Sequence, residues 1–142
     1  GPMAYAAFEK TIGALAMGAS TYEWVMRHED GRWGYTQPTW VFTHRALDVP
    51  EGAAIRIAHG DVADVHGEMV DAADGKDLWV VGGGDLAGQF ADAGLLDEVW
   101  VQYAPVMLGS GAPLLPRSLD LELVDVARNR NFMCGRYRVV RG

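Results

Sequence analysis

Leu78-Trp79-Val80-Val81-Gly82-Gly83-Gly84-Asp85-Leu86 sets four apolar residues directly against three glycines. The apolar run is short and rich in β-formers, which suits a buried strand. Beyond the glycines, Leu86, Phe90 and Ala93 fall on one face at helical spacing, so the stretch is predicted to be strand, tight turn, helix. Glycine lets a backbone approach a ligand closely, and the free N–H groups and dipole of a helix start favour an anion. Three glycines can equally do no more than make the turn. A carboxylate beside a pyrophosphate would be repelled, so Asp85 is expected to cap the helix rather than face the anion.

Upstream the same arrangement recurs. Ala4, Ala7, Phe8 and Ile12 recur at helical spacing, with Gly13 as a C-terminal stop. Ala14-Leu15-Ala16-Met17 is an apolar run closed by Gly18, which predicts a buried strand, and Ser20 or Thr21 can cap a helix running to His28. Gly18, Ser20 and Thr21 offer backbone donors and hydroxyls to a phosphate, although N-capping explains the hydroxyls as well. A Gly-, Asp- and Pro-rich loop from Glu29 to Pro38 precedes a strand, Trp40-Val41-Phe42-Thr43. At its end Thr43, His44 and Arg45 place a hydroxyl beside a guanidinium fork. Such a fork suits a phosphate monoester such as the 2′-phosphate of NADP, while a lone surface arginine is ordinarily just solvated. A further strand, Ala54 to Ala58, leads through Asp61 into a helix carrying Val62, Val65, Met69 and Val70. All three candidate motifs fall at carboxyl ends of strands, where open α/β sheets bind ligands.

Downstream the periodicity changes. Val99 to Ala104 and Leu121 to Ala127 alternate towards a last strand near Tyr137 to Val140, which predicts antiparallel pairing. The fold class is therefore α/β, a mostly parallel central sheet with antiparallel C-terminal strands. With 142 residues, 49% of them hydrophobic, the chain supports one domain over residues 3–142. Gly1-Pro2 reads as the remnant of a cleaved expression tag.

Twelve Lys plus Arg against nineteen Asp plus Glu give a net charge of −7, without a basic stripe for nucleic acid. One cysteine, Cys134, precludes an internal disulfide, and no apolar run approaches a membrane span; a soluble, reduced, cytoplasmic setting is expected. His28, His59 and His66 have no metal-ligand spacing with Cys134, so no metal is expected. The nucleophile elbow of α/β-hydrolases and a Walker-type loop are both missing from the sequence. The tryptophans Trp24, Trp33, Trp40, Trp79 and Trp100 read as core or loop anchors.

Met17-Gly18 with Thr21-Tyr22-Glu23, the Gly82 to Leu86 run, Gly94-Leu95-Leu96-Asp97-Glu98 and Pro105-Val106-Met107-Leu108-Gly109-Ser110-Gly111 together form a pattern. It resembles the reductase domain at the C-terminus of bacterial riboflavin-biosynthesis deaminase-reductases and of its stand-alone relatives, from about Phe8 onward. The resemblance implies the three-layer fold of the dihydrofolate reductase superfamily and an NADPH site. In that site Gly83, Gly84, Asp85 and Leu86 would line the pyrophosphate and nicotinamide, with Gly18, Ser20 and Thr21 on the other face of the pyrophosphate. Thr43, His44 and Arg45 would face the 2′-phosphate, and His59 the adenine.

Two departures from the family pattern stand out. Ala19 occupies a place where the family commonly has arginine. The central first strand with its Ser-Leu-Asp-Gly-like segment is not present before Met3, and no carboxylate stands at Pro2 to Met3, where dihydrofolate reductases carry their substrate-binding acid. A chain without that strand exposes backbone groups and apolar surface, which predicts a homo-oligomer, in the simplest case a dimer.

The resemblance implies hydride transfer from NADPH to an unsaturated C–N bond of a small heterocyclic or sugar-amine substrate, as in 5-amino-6-(5-phosphoribosylamino)uracil reductase or dihydrofolate reductase. Tyr22, Tyr103 and Asp97 are possible proton donors and equally possible structural residues, so no catalytic residue is assigned. The alternatives are a non-catalytic or truncated member that binds a nucleotide or a partner, and an interaction module in which Gly82 to Gly84 are blocked.

Overall fold

The structure, a computed structural model, describes residues 5–141. The readings of Gly1-Pro2 as a tag, of Pro2 to Met3 as the acid's position and of Ala4 as a helix residue lie outside the described residues.

Among the described residues seven strands form two separate sheets, accompanied by four helices. The first is parallel, in the order β3 (Ile55–Ala58), β2 (Thr39–Phe42), β1 (Ile12–Gly18), β4 (Asp77–Gly82). Its centre is β1, whose unbroken apolar sequence is what a strand covered on both faces requires. On one face α3 (Val62–Ala73) and α4 (Gly84–Asp92) pack Met69, Leu86 and Phe90 against Ala14, Ala16 and Trp40. On the other, Tyr22 of α2 (Ala19–His28) joins Leu15, Met17 and Val41, flanked by Phe8 of α1 (Tyr5–Glu9).

The first helix is shorter than the spacing of Ala4, Ala7, Phe8 and Ile12 predicts. Ile12 is buried in β1 and paired with Asp77 of β4, so sheet pairing takes the residue that helical periodicity assigned to α1. Gly13 is likewise a strand residue and not a helix stop. A Cβ there would collide with the backbone of Ala73, so glycine at this position lets the end of α3 lie directly on the central strand.

The second sheet is antiparallel, in the order β5 (Glu98–Tyr103), β7 (Phe132–Val139), β6 (Leu121–Asn129). The alternation around Val99 and Leu121 predicted this pairing. However, β7 starts at Phe132, earlier than Tyr137, and runs down the middle. The expected single sheet is interrupted: the edge of β4 away from β1 and the edge of β5 away from β7 pair with no strand among the described residues. The two sheets share no strand pairing among the described residues. They meet instead through Phe8, whose ring lies 5.1 Å from that of Trp79 in β4 and 4.9 Å from that of Trp100 in β5. A cavity of about 160 Å³ opens at this joint, lined by Tyr5, Phe8, Trp79, Trp100 and Cys134 among others.

Candidate nucleotide-binding site

Parallel register brings the carboxyl ends of the strands into one row. Gly18 stands opposite Phe42, Met17 opposite Gly82, and Phe42 opposite Ala58. The three predicted junctions, Gly82 to Leu86, Gly18 to Thr21 and Thr43 to Arg45, therefore lie along the same rim, with His59 just beyond β3.

The two glycine junctions touch. A Cβ on Gly18 would stand 4.0 Å from both the Gly82 oxygen and the Gly83 nitrogen, and one on Gly82 would stand 3.2 Å from Thr21 Oγ1. Gly82 has a φ of +152°, a conformation side chains disfavour. The caps of α2 and α4 are Gly18 and Gly83, and neither helix has a side-chain cap hydrogen bond. The first N–H groups of both helices, from Ala19 to Thr21 and from Gly84 to Leu86, thus have no intrahelical acceptor, and the positive ends of two helix dipoles converge on one rim.

This corrects the predicted capping. Ser20, Thr21 and Asp85 lie inside the first turns, because each helix begins one residue after its glycine. The Asp85 side chain is 76% exposed, accepts a hydrogen bond of 3.1 Å from the Gln89 amide and lies 3.8 Å from the Arg117 guanidinium. Its charge is thereby turned to solvent and partly offset, which weakens the repulsion expected against an anion.

The three glycines serve different ends. A Cβ on Gly83 would meet nothing within 4 Å, whereas one on Gly84 would stand 2.6 Å from the Leu114 oxygen. Gly84 and Gly88, one turn apart, form a bare stripe on α4 over which residues 114–117 cross. Arg117 fills the Gly88 end and pairs with Asp92 at 3.0 Å. Sequence reasoning missed Arg117; the signal was the glycine pair at i, i+4 on a helix otherwise well formed.

At the third junction the Arg45 backbone N–H donates to Thr43 Oγ1 at 3.0 Å, and His59 Nδ1 donates to the Thr43 carbonyl at 2.6 Å. The turn is therefore knit to β3. Arg45 itself reaches back to α2 and pairs with Glu23 at 2.6 Å, with its side chain 60% exposed. Such a pair contributes little stability and yields readily to a competing anion.

The possible proton donors are occupied elsewhere. Tyr22 is buried and its hydroxyl donates to the Asp48 carbonyl at 2.9 Å; burial and the nearby Asp48 charge raise its pKa. Tyr103 shares a hydrogen bond of 3.1 Å with Tyr137 in the antiparallel sheet, which raises its pKa. Asp97 pairs with Arg141 at 2.8 Å. Among the described residues no three His, Cys, Asp or Glu side chains gather as a metal site would need, and no helix is long and apolar enough to cross a membrane.

A parallel sheet whose strand ends present uncapped, glycine-led helices defines an open α/β fold, a class in which ligands bind at the carboxyl ends of the strands. The model of the RibD C-terminal domain family matches residues 26–133, and the chain belongs to that family. Two uncharacterized proteins of Bacillus subtilis (strain 168) are similar. YyaP is 36% identical over 69 residues, 46% of this chain and 35% of that one. YwjB is 30% identical over 115 residues, 80% of this chain and 64% of that one. The matched stretches thus span less than two thirds of either relative's length.

Solved structures agree on the fold. A protein from Shewanella sp. PV-4, described as a candidate riboflavin biosynthesis protein, superposes with a TM-score of 0.79 at 24% identity, over 98% of this chain and 80% of that one. A pyrimidine reductase-like protein from Corynebacterium diphtheriae gives 0.67 at 15% identity, over 100% and 84%. A deaminase/5-amino-6-(5-phosphoribosylamino)uracil reductase from Thermotoga maritima gives 0.62 at 15%, over 99% of this chain and 49% of that one. The chain thus has the dihydrofolate reductase-like fold of RibD reductase domains, a family that in general binds NADPH.

Proposed function

We propose that the chain binds NADPH along the rim of the parallel sheet and serves as a reductase of small heterocyclic or sugar-amine substrates in the cytoplasm. The observation that carries this reading is the contact between two uncapped helix starts, at Gly18 and at Gly83. Their N–H groups fit a pyrophosphate, and the open space above Gly83 leaves room for one. Arg45, exposed and paired with Glu23, fits the 2′-phosphate that distinguishes NADPH from NADH. Bound there, the cofactor would supply hydride to the carbon of an unsaturated C–N bond while its nitrogen takes a proton. The chain's own part is to position: Gly18, Ser20 and Thr21 on one side of the phosphates, Gly83, Gly84, Asp85 and Leu86 on the other, with Thr43, His44 and Arg45 at the adenosine end.

Two observations favour a second reading, a nucleotide-binding member without catalysis. Ala19 brings no cation to the start of α2, and the sheet is open between β4 and β5. Titration with NADPH and NADH, followed by tryptophan fluorescence, tests the cofactor site. Preference for NADPH that Arg45→Ala removes supports it, and no binding of either nucleotide rejects it. Gly18→Val is expected to fold normally, since its backbone is extended, and to weaken NADPH at least about tenfold by filling the space between the junctions. Turnover of a pyrimidine ribosylamine with NADPH then separates enzyme from binder.

A further inference from the structure

A strap of chain, residues 114–117, crosses the helix that borders the glycine rim. It seats on the bare stripe of α4: a Cβ on Gly84 would stand 2.6 Å from the Leu114 oxygen, and one on Gly88 would stand 2.8 Å from Arg117 Cζ. The space over Gly83 is left open beside it. Arg117 lies within this contact, its side chain 28% exposed. Its Nε donates to both carboxylate oxygens of Asp92 at 3.0 Å, and its Nη1 donates to the Pro116 carbonyl at 2.8 Å. Its Nη2 faces Asp85, 3.8 Å away in the first turn of α4. One guanidinium thus spans the helix from its first turn to its last residue.

We propose, resting on the NADPH site inferred for this rim, that Arg117 is a positioning residue for the pyrophosphate. It offsets the Asp85 carboxylate beside the start of α4 and so keeps that helix start attractive to an anion. Charge is the first argument. Asp85 is the acidic residue of the first turn, and there a carboxylate competes with any anionic ligand for the same N–H groups and the same dipole. The chain carries −7 overall, so the wider field also opposes a polyanion.

Placement is the second argument. The first turn of α2, Ala19-Ser20-Thr21-Tyr22, brings no cation to the phosphates, and Arg45 stands at the adenosine end. Arg117 reaches the other end of the rim from a segment distant in sequence. Rigidity is the third. Asp92 and the Pro116 carbonyl fix the guanidinium before a ligand arrives, and the missing Cβ of Gly88 makes the slot it occupies. A charge already held in place needs no ordering on binding.

Fluorescence titration of the purified chain with NADPH at about 20 mM and about 500 mM salt reads this role, because the Debye length falls from roughly 20 Å to roughly 4 Å between them. Arg117→Gln is expected to weaken NADPH about three- to fivefold at the lower salt and less than about twofold at the higher. Arg117→Lys, which keeps the charge and loses the fork, is expected to bind within about twofold of wild type. Adding Asp85→Asn to Arg117→Gln is expected to restore binding to the same range, since the charge to be offset is gone. Should Arg117→Gln fail to fold, Asp85→Asn alone carries the test, with NADPH expected to bind about two- to threefold tighter at low salt; unchanged or weaker binding by Asp85→Asn overturns the proposal. Binding that Arg117→Gln leaves unchanged also overturns it while the site itself stands. So does a loss that neither Arg117→Lys nor the added Asp85→Asn repairs, which makes Arg117 a fastener of the strap and nothing more. No binding of NADPH by the wild-type chain overturns the site and this role with it.

Discussion

The two sheets use apolar residues in opposite ways. In the parallel sheet, β1 has helices on both sides, and Ala14 through Met17 are fully buried. In the antiparallel sheet, β6 is exposed from Leu121 to Val126 although four of those six residues are apolar. Composition alone does not separate them. What separates them is whether a crossover helix follows the strand: β1, β3 and β4 each feed a helix that folds back over the sheet, whereas among the described residues β5, β6 and β7 are joined by a loop and a hairpin without a helix. The first sheet thus stabilises the domain from within, and the second leaves apolar side chains of β6 exposed.

That comparison breaks most sharply at Trp40. Its removal as Trp40→Ala empties a nearly sealed site between β2 and α3, and is expected to cost about 3–5 kcal/mol in a urea titration. A loss under about 1 kcal/mol would mean that the parallel sheet is not the stabilising unit. Gly13→Ala tests the approach of α3 to β1: forcing one methyl against the Ala73 backbone is expected to cost about 1–3 kcal/mol.

Phe8→Ala sharpens the comparison by acting on the joint. Half-buried between Trp79 and Trp100, Phe8 is expected to contribute about 1–2 kcal/mol, less than a fully buried aromatic. Amide exchange should then quicken in β5 and β7 more than in β1 and β2. Equal quickening everywhere would show that the sheets unfold as one.

The smallest effect lies at an ion pair of the antiparallel sheet, Arg136 with Glu98. Hydrogen bonds from Arg136 hold the Glu98 pKa below its usual value of 4.5, against some burial that raises it. Because the folded-state pKa is the lower one, the stabilisation is present above about pH 4.5 and is lost as pH falls through the folded value. The carboxylate is 37% exposed, so Glu98→Gln is expected to cost well under about 1 kcal/mol at pH 7, and variant and wild type should converge in acid.

Local signals made the strand-to-helix junctions legible. The runs around Leu15, Val41 and Val80 are continuous and apolar, each ends in a glycine or a polar break, and the row they form at the sheet rim follows from parallel order. The exact caps were not legible, because Ser20, Thr21 and Asp85 are good capping residues standing next to glycines that take the cap position themselves. Gly13 shows the same ambiguity: a glycine after a helical pattern signals a stop and a close approach equally well. The interruption between β4 and β5 depends on pairings between strands distant in sequence, which no local pattern records. Arg117 escaped notice because its partner Asp92 lies 25 residues upstream.

Phe8 sits on a helix of only five residues, a length that holds no stable structure in water by itself. The aromatic joint between the sheets therefore depends on two tryptophans holding one ring. When that ring moves, Trp79 and Trp100 change surroundings together, so the intrinsic emission of the chain reports on the joint.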